Sequence, residues 1–187
     1  MDDQILNILS VCRKGSRALG PGLRYVIWTQ GCPFHCKGCI TPEGQPIVER
    51  MLVDVELMAA DIISRHEIDG ITISGGEPFL QVPALTRLLK LVKKERPEIT
   101  VIVFTGFKIE AIIGSPAETF LSEIDVLIDG AFDEECKTSK GLRGSSNQGI
   151  HHISNRLLLY EDELENGNRI YETKISNDSI VTIGIPK

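Results

Sequence analysis

Four short runs of β-forming residues, each closed by a segment of unusual chemistry, alternate with runs of helical period. This alternation constrains the fold more than any other feature of the chain. Arg24–Thr29 leads into a cysteine-bearing loop from Gly31 to about Pro46, and Ile71–Ser74 into Gly75-Gly76-Glu77-Pro78. Val101–Phe104 leads into Thr105-Gly106, and Val126–Ile128 into Asp129-Gly130. Between them, Val55, Met58, Ala59, Ile62 and Ile63 recur at helical spacing behind Asp54, a natural N-cap. Leu85, Leu88, Leu89 and Val92 repeat at i, i+3, i+4, i+7 behind Pro83, a suitable N1 residue. Lys93, Lys94 and Arg96 suit the C-terminal end of that dipole, and Pro97 stops the helix. Ile109–Leu121 is a weaker helical stretch.

Strands alternating with helices imply an α/β fold with a parallel sheet, whose ligands bind at the carboxyl ends of the strands. The four unusual segments are therefore expected on one rim. Before them, Ile5–Val11 is a first-strand candidate and Arg13–Gly22 reads as a loop. After them, Leu157–Tyr160, Ile170–Ile175 and Ile180–Ile185 read as three short strands joined by turns at Asn166-Gly167 and Asn177-Asp178. The expected result is a core over residues 1–155 and a small antiparallel C-terminal β extension over 156–187, closing a sheet edge.

Composition narrows the function classes. A length of 187 residues favours one domain, and 42% apolar with 25% charged residues is a globular balance. A net charge of −6 gives no basic surface for nucleic acid. No apolar run reaches the roughly 20 residues of a membrane span. The opening Met1-Asp2-Asp3 lacks the pattern of a secretory signal, so a cytoplasmic protein is expected.

Of five cysteines, three fall in Cys32-x3-Cys36-x2-Cys39. Such an arrangement is a poor disulfide framework and a good metal signature. Three thiolates on one loop can hold three irons of a [4Fe–4S] cube and leave the fourth open. A Cys3His zinc site using His35, or three plain reduced thiols, would use the same residues. A structural zinc site usually has a second Cys-x2-Cys knuckle, and this sequence has none. Cys12 and Cys136 read as ordinary thiols, and Trp28 as a core residue. Glycines in Ser74-Gly75-Gly76-Glu77-Pro78 would let a ligand approach the backbone, with Glu77 near a charged amino group.

Taken together, Cys-x3-Cys-x2-Cys and Gly-Gly-Glu-Pro resemble the radical S-adenosylmethionine (SAM) superfamily. Finer matches are similar to the glycyl-radical activating enzymes, and among them to the activating proteins of anaerobic (class III) ribonucleoside-triphosphate reductases. These are Gly20-Pro21-Gly22-Leu23-Arg24, Gln30-Gly31-Cys32-Pro33, Lys37-Gly38-Cys39, Phe104-Thr105-Gly106-Phe107, Asp125-Val126-Leu127-Ile128-Asp129-Gly130 and Leu142-Arg143-Gly144-Ser145-Ser146-Asn147-Gln148, with His151-His152 after it. The run Ile40-Thr41-Pro42-Glu43 departs from the family by lacking an aromatic residue after the third cysteine.

The resemblance implies an incomplete parallel (βα) barrel and two cofactors, a [4Fe–4S] cluster and SAM. It implies reductive cleavage of SAM to a 5′-deoxyadenosyl radical that takes hydrogen from a glycine of a partner glycyl-radical enzyme. That partner is expected to be the large subunit of an anaerobic ribonucleotide reductase, with flavodoxin or ferredoxin as electron donor. Cys32, Cys36 and Cys39 would be the cluster ligands; Gly38, Ile40, Gly75, Gly76 and Glu77 would lie against SAM, with Thr105 and Asp129 as further polar contacts. A radical enzyme acting on a peptide or small molecule, and a non-catalytic metal-binding module, are the alternative readings.

Overall fold

The structure is a computed structural model and describes residues 3–175 and 180–186. In chain order it contains β1 (Ile5–Ser16), β2 (Arg24–Thr29), β3 (Met51–Asp54), α1 (Val55–Ile63), β4 (Gly70–Gly75), α2 (Val82–Glu95) and β5 (Thr100–Phe104). There follow α3 (Ile109–Ile112), α4 (Glu118–Leu121), β6 (Val126–Asp129), β7 (Gly149–His152), α5 (Glu161–Asn166), β8 (Glu172–Ile175) and β9 (Ile180–Ile183). Seven strands form one sheet in the order β3-β1-β2-β4-β5-β6-β7, and β8-β9 form a separate ribbon.

Pairing is parallel from β2 through β4 and β5 to β6. The flanks are antiparallel: β1 pairs with both β2 and β3, and β7 pairs with β6. The architecture is thus α/β with a parallel centre, as expected.

The four central strands carry two cores because successive side chains take opposite faces. Tyr25, Ile27, Ile71, Ile73, Val101, Val103 and Leu127 face α1 and α2. There they meet Val55, Met58, Ala59 and Ile62 of α1 and Leu85, Leu88, Leu89 and Val92 of α2. The α2 residues are completely buried, and each stabilises the fold by roughly 1.5–3 kcal/mol. Asp54 caps α1 by accepting the amide N–H of Glu56 and Leu57. The alternate residues, Val26, Ile102, Val126 and Ile128, form a second cluster on the opposite face. Trp28, Phe104 and Ile150 pack against it.

The second face is closed at the end remote from the cysteine loop by Arg24, which is fully buried without a carboxylate partner in contact. Its guanidinium donates to Thr72 Oγ1 at 2.7 Å, to the carbonyls of Pro21, Ile71 and Thr100, and to Thr100 Oγ1. Burial pulls its pKa down to about 9. Gly70 is required beside it, since a Cβ there would lie 2.4 Å from the guanidinium.

Several local expectations need correction. Arg13–Ser16 continues β1 instead of forming a loop, because the glycine at position 15 (φ 74°) falls at an irregularity in a ladder that resumes at the Ser16–Arg24 pair. Ile109–Leu121 holds two short helices, parted by Gly114-Ser115-Pro116. Leu157–Tyr160 is part of a 3-10 helix over Asn155–Tyr160, with Ser154 capping the amide of Arg156. It buries Leu157 and leaves Leu158, Leu159 and Tyr160 outward, which does not alternate as a strand would. The tail is therefore a two-stranded ribbon and not a three-stranded meander, and it does not join the main sheet. Asn166 closes α5, while the expected turn at Asn177-Asp178 lies outside the described residues. No helix among the described residues is long and apolar enough to cross a membrane.

Candidate cluster and cofactor site

The loop after β2 is closed at its base. Gly31 and Cys32 donate their amide N–H to the carbonyls of Gly44 and Gln45, and Gln30 Nε2 donates to the carbonyl of Pro46 at 2.6 Å. Within it the chain turns through the left-handed region at His35 (φ 50°) and again at Gly38 (φ 73°), just before Cys36 and Cys39. A non-glycine residue in this region carries strain of about 1–3 kcal/mol, and such strain concentrates at functional sites. His35 itself is exposed and does not line the cavity that the cysteines line.

That cavity has a volume of about 570 Å³ and lies at the carboxyl ends of the parallel strands. Cys32, Cys36 and Cys39 line it, together with Gly38 and Ile40 from the same loop. Gly75, Gly76 and Glu77 from the exit of β4 and Thr105 from the exit of β5 line it too. Of the ten candidate residues, all meet here except Asp129. Asp129 is buried behind the rim, where it accepts the amides of Ile109 and Gly149 and the Lys108 ammonium. Burial alone would raise its pKa, but those donors and nearby His151 hold it below the ordinary carboxylate value.

The glycine pair answers a packing demand as well. Gly76 donates its amide to the carbonyl of Thr29 at 2.8 Å, and Glu77 donates its amide to that of Gly31 at 2.7 Å. A Cβ on Gly76 would lie 2.3 Å from the Gly31 carbonyl oxygen. Gly-Gly therefore lets the exit of β4 press against the start of the cysteine loop, a packing role beside the expected approach of a ligand.

Glu77 is completely buried, and its carboxylate is spent within the protein. Oε1 accepts the amide of Phe79 at 2.9 Å and the hydroxyl of Thr105 at 2.8 Å, and Oε2 accepts the amide of Gly106 at 2.7 Å. Burial pushes its pKa up to about 7 against the pull of these three donors. The carboxylate fastens the exit of β4 to that of β5. Gly106 in turn leaves room for Phe34, whose ring a Cβ would meet at 2.4 Å, and Phe107 packs edge-on against Phe34 at 4.9 Å. The Thr-Gly-Phe segment thereby braces the cysteine loop.

Three other segments complete the walls. Trp28, read from the sequence as core, is half-buried and lines the cavity with Phe104. The loop after β6 contributes Phe132 and Gln148, and Lys37 pairs with Glu134 of that loop at 3.1 Å. Gln148 holds this loop in shape, accepting the amides of Gly144 and Ser145 and donating to the carbonyl of Gly130. Tyr171, Val181 and Thr182 come from the C-terminal tail, a contribution no motif announces.

Residues 18–151 match the family described as a 4Fe-4S single cluster domain. The chain belongs to that family. It is 36% identical over 142 residues to the anaerobic ribonucleoside-triphosphate reductase-activating protein of Haemophilus influenzae, a span of 72% of this chain and 90% of that protein. The corresponding protein of Escherichia coli K12 is 32% identical over 143 residues, covering 72% of this chain and 91% of that protein. The pyruvate formate-lyase-activating enzyme of Staphylococcus epidermidis is 41% identical over 80 residues, 40% of this chain and 32% of that enzyme.

The residues present fit a cluster of this family. The cavity offers three thiols free of disulfides, the donor type that iron–sulfur clusters take. Among the described residues no three His, Cys, Asp or Glu side chains converge as for a single metal ion. A cubane makes no such demand, because each of its three thiolates binds a different iron.

Proposed function

We propose that the chain activates a glycyl-radical enzyme by radical SAM chemistry, and that its partner is the large subunit of an anaerobic ribonucleoside-triphosphate reductase. The observation that carries this reading is the meeting of the three thiols with Gly75, Gly76 and Glu77 in one cavity, in a chain 36% identical to a reductase-activating protein. When bound, a reduced [4Fe–4S] cluster with SAM on its open iron supplies the electron that cleaves SAM and yields the radical that removes hydrogen from the partner's glycine.

The chain's own residues do the rest. Cys32, Cys36 and Cys39 hold the cluster, and burial of Cys32 and Cys36 keeps those thiols protonated above their ordinary pKa until metal displaces the proton. Gly75 and Gly76 present backbone to the methionyl end of SAM, flanked by Gly38 and Ile40. Glu77 and Thr105 fix the relative position of two strand exits, so the cavity keeps its shape through turnover. Trp28, Phe34, Phe104 and Phe132 exclude water from a site where stray proton or hydrogen donors would quench a radical. Asp129 acts behind the rim by tying α3 and β7 together. A flavodoxin or ferredoxin is the expected electron donor.

Anaerobic reconstitution with iron and sulfide, followed by reduction, tests the reading. Cluster-loaded protein should form 5′-deoxyadenosine from SAM and produce a glycyl doublet in electron paramagnetic resonance when mixed with the reductase subunit. Absence of 5′-deoxyadenosine from a fully loaded, reduced sample sinks the enzymatic claim.

A further inference from the structure

The β8–β9 ribbon lies beyond residues 18–151, yet it lines the same cavity as the cysteines. Ile183 and Ile185 are buried against Val26, Ile102, Val126 and Ile128, filling the concave face of the parallel strands. The segment is held at several points. Tyr171 Oη donates to the carbonyl of Ile185 at 2.6 Å, and Glu172 Oε1 accepts the amide of Arg17 at 2.7 Å. Arg169 donates to the carbonyls of Thr138, Lys140, Gly141, Arg143 and Pro186. Five carbonyls on one guanidinium join both ends of the tail to the loop after β6.

With its anchors buried, the ribbon still shows the cavity three exposed residues: Tyr171 at 42%, Val181 at 45% and Thr182. A hydrogen donor must reach the same cavity as the radical source, since the transfer needs the reacting atoms nearly in contact. Tyr171, Val181 and Thr182 border the space that a polypeptide delivering a glycine would enter. They offer an aromatic ring, three methyl groups and the Thr182 hydroxyl, with no charge.

We propose that the C-terminal ribbon is the substrate-side wall of the cavity, and that Tyr171, Val181 and Thr182 select an uncharged, extended, glycine-bearing segment of the partner. This rests on the function proposed above. Arg169 is a positioning residue outside the cavity, and Ile183 and Ile185 anchor the wall at its buried base.

The test uses cluster-loaded wild type and the variants Val181→Glu and Thr182→Glu, with Ile175→Glu as control. Ile175 is on the same ribbon, 77% exposed and outside the cavity lining. Two quantities are read with the anaerobic reductase subunit from the same genome as partner. One is glycyl radical formed per 5′-deoxyadenosine released. The other is the affinity of the cluster-loaded chain for a synthetic peptide spanning the subunit's radical glycine, measured by anaerobic titration calorimetry. A carboxylate desolvated against an uncharged peptide should weaken peptide affinity by roughly tenfold or more. The radical-to-deoxyadenosine ratio should fall with it, while Ile175→Glu matches wild type. Unchanged affinity and ratio in both wall variants, or an equal loss in the control, overturns the proposal. If wild type forms no 5′-deoxyadenosine, the functional reading fails first and takes the proposal with it; if wild type is active, failure is the wall's alone.

Discussion

Replacing Glu77 by Gln isolates what its buried charge does to the fold. The carboxyl titrates at about 7 in the folded chain against an ordinary 4.5, because burial outweighs the three donors that face it. For a group whose folded pKa is raised in this way, the folded state holds a proton that the unfolded state has released between pH 4.5 and 7. Wild type therefore loses stability from this group as pH rises through that window. The shift corresponds to about 3 kcal/mol at 1.36 kcal/mol per unit. Gln has no such titration, but its NH2 must face one of the three donors, which costs about 1–3 kcal/mol at every pH. The difference in unfolding free energy, wild type minus E77Q, should be clearly positive at pH 5 and shrink by about 3 kcal/mol by pH 8. Urea unfolding of the metal-free chains under reductant at the two pH values gives this double difference, in which every other titrating group cancels. A difference that does not change with pH, or grows toward pH 8, refutes the claim that Glu77 is held as a desolvated carboxylate.

Cys36→Ser should leave the chain folded, since Cys36 belongs to neither apolar cluster, but iron and acid-labile sulfide per chain after reconstitution should fall to near background. Arg24→Leu removes a guanidinium from five oxygen acceptors and should destabilise the fold by about 2–4 kcal/mol, seen as a lower urea midpoint with intact secondary structure by circular dichroism. Asp129→Asn should destabilise most at neutral pH. The depressed pKa of Asp129 gives stability that is present above the unfolded value and lost as pH falls through the folded one, so acid titration should bring variant and wild type together. Asp54→Ala removes the acceptor for two amides at the start of α1 and should cost about 0.5–2 kcal/mol in the same assay.

What could be read without coordinates was whatever repeats along the chain or is carried by short-range chemistry. The short runs of β-forming residues at β2, β4, β5 and β6 and the 3.6-period face of α2 come from residues close in sequence, and the structure has those elements within one or two residues. β3 and β7 were not expected. Their sequences, Met-Leu-Val-Asp and Gly-Ile-His-His, are four residues long, and both owe their strand state to a neighbour already in place, β1 and β6. The 3-10 helix at Asn155–Tyr160 was hidden by a composition that suits a strand. At the site, the cysteine and Gly-Gly-Glu-Pro segments were legible as chemistry. The direction of the Glu77 carboxylate was not, because its donors Thr105 and Gly106 are nearly thirty positions away. The turn at His35 gave only a weak signal, because histidine, though enriched there among non-glycine residues, seldom takes the left-handed region.

The alternation of side chains between the two faces of the sheet separates stability from function. Odd positions of β2 and β5 face α1 and α2, and even positions of both strands face the cavity side. The helix-facing core is complete on its own, with both helices seated against it. The other face is unfinished by the strands and helices alone: its apolar residues are covered by the loop after β6, the segment around Leu157 and Leu164, and the ribbon. A surface covered by long-range segments can change its cover without losing the sheet. The β8–β9 ribbon lies outside the matched residues 18–151, so the proposed wall belongs to a part of the chain that the family match does not cover. Substitutions on the helix-facing core should thus act through stability, and those on the ribbon's exposed side through the choice of what enters.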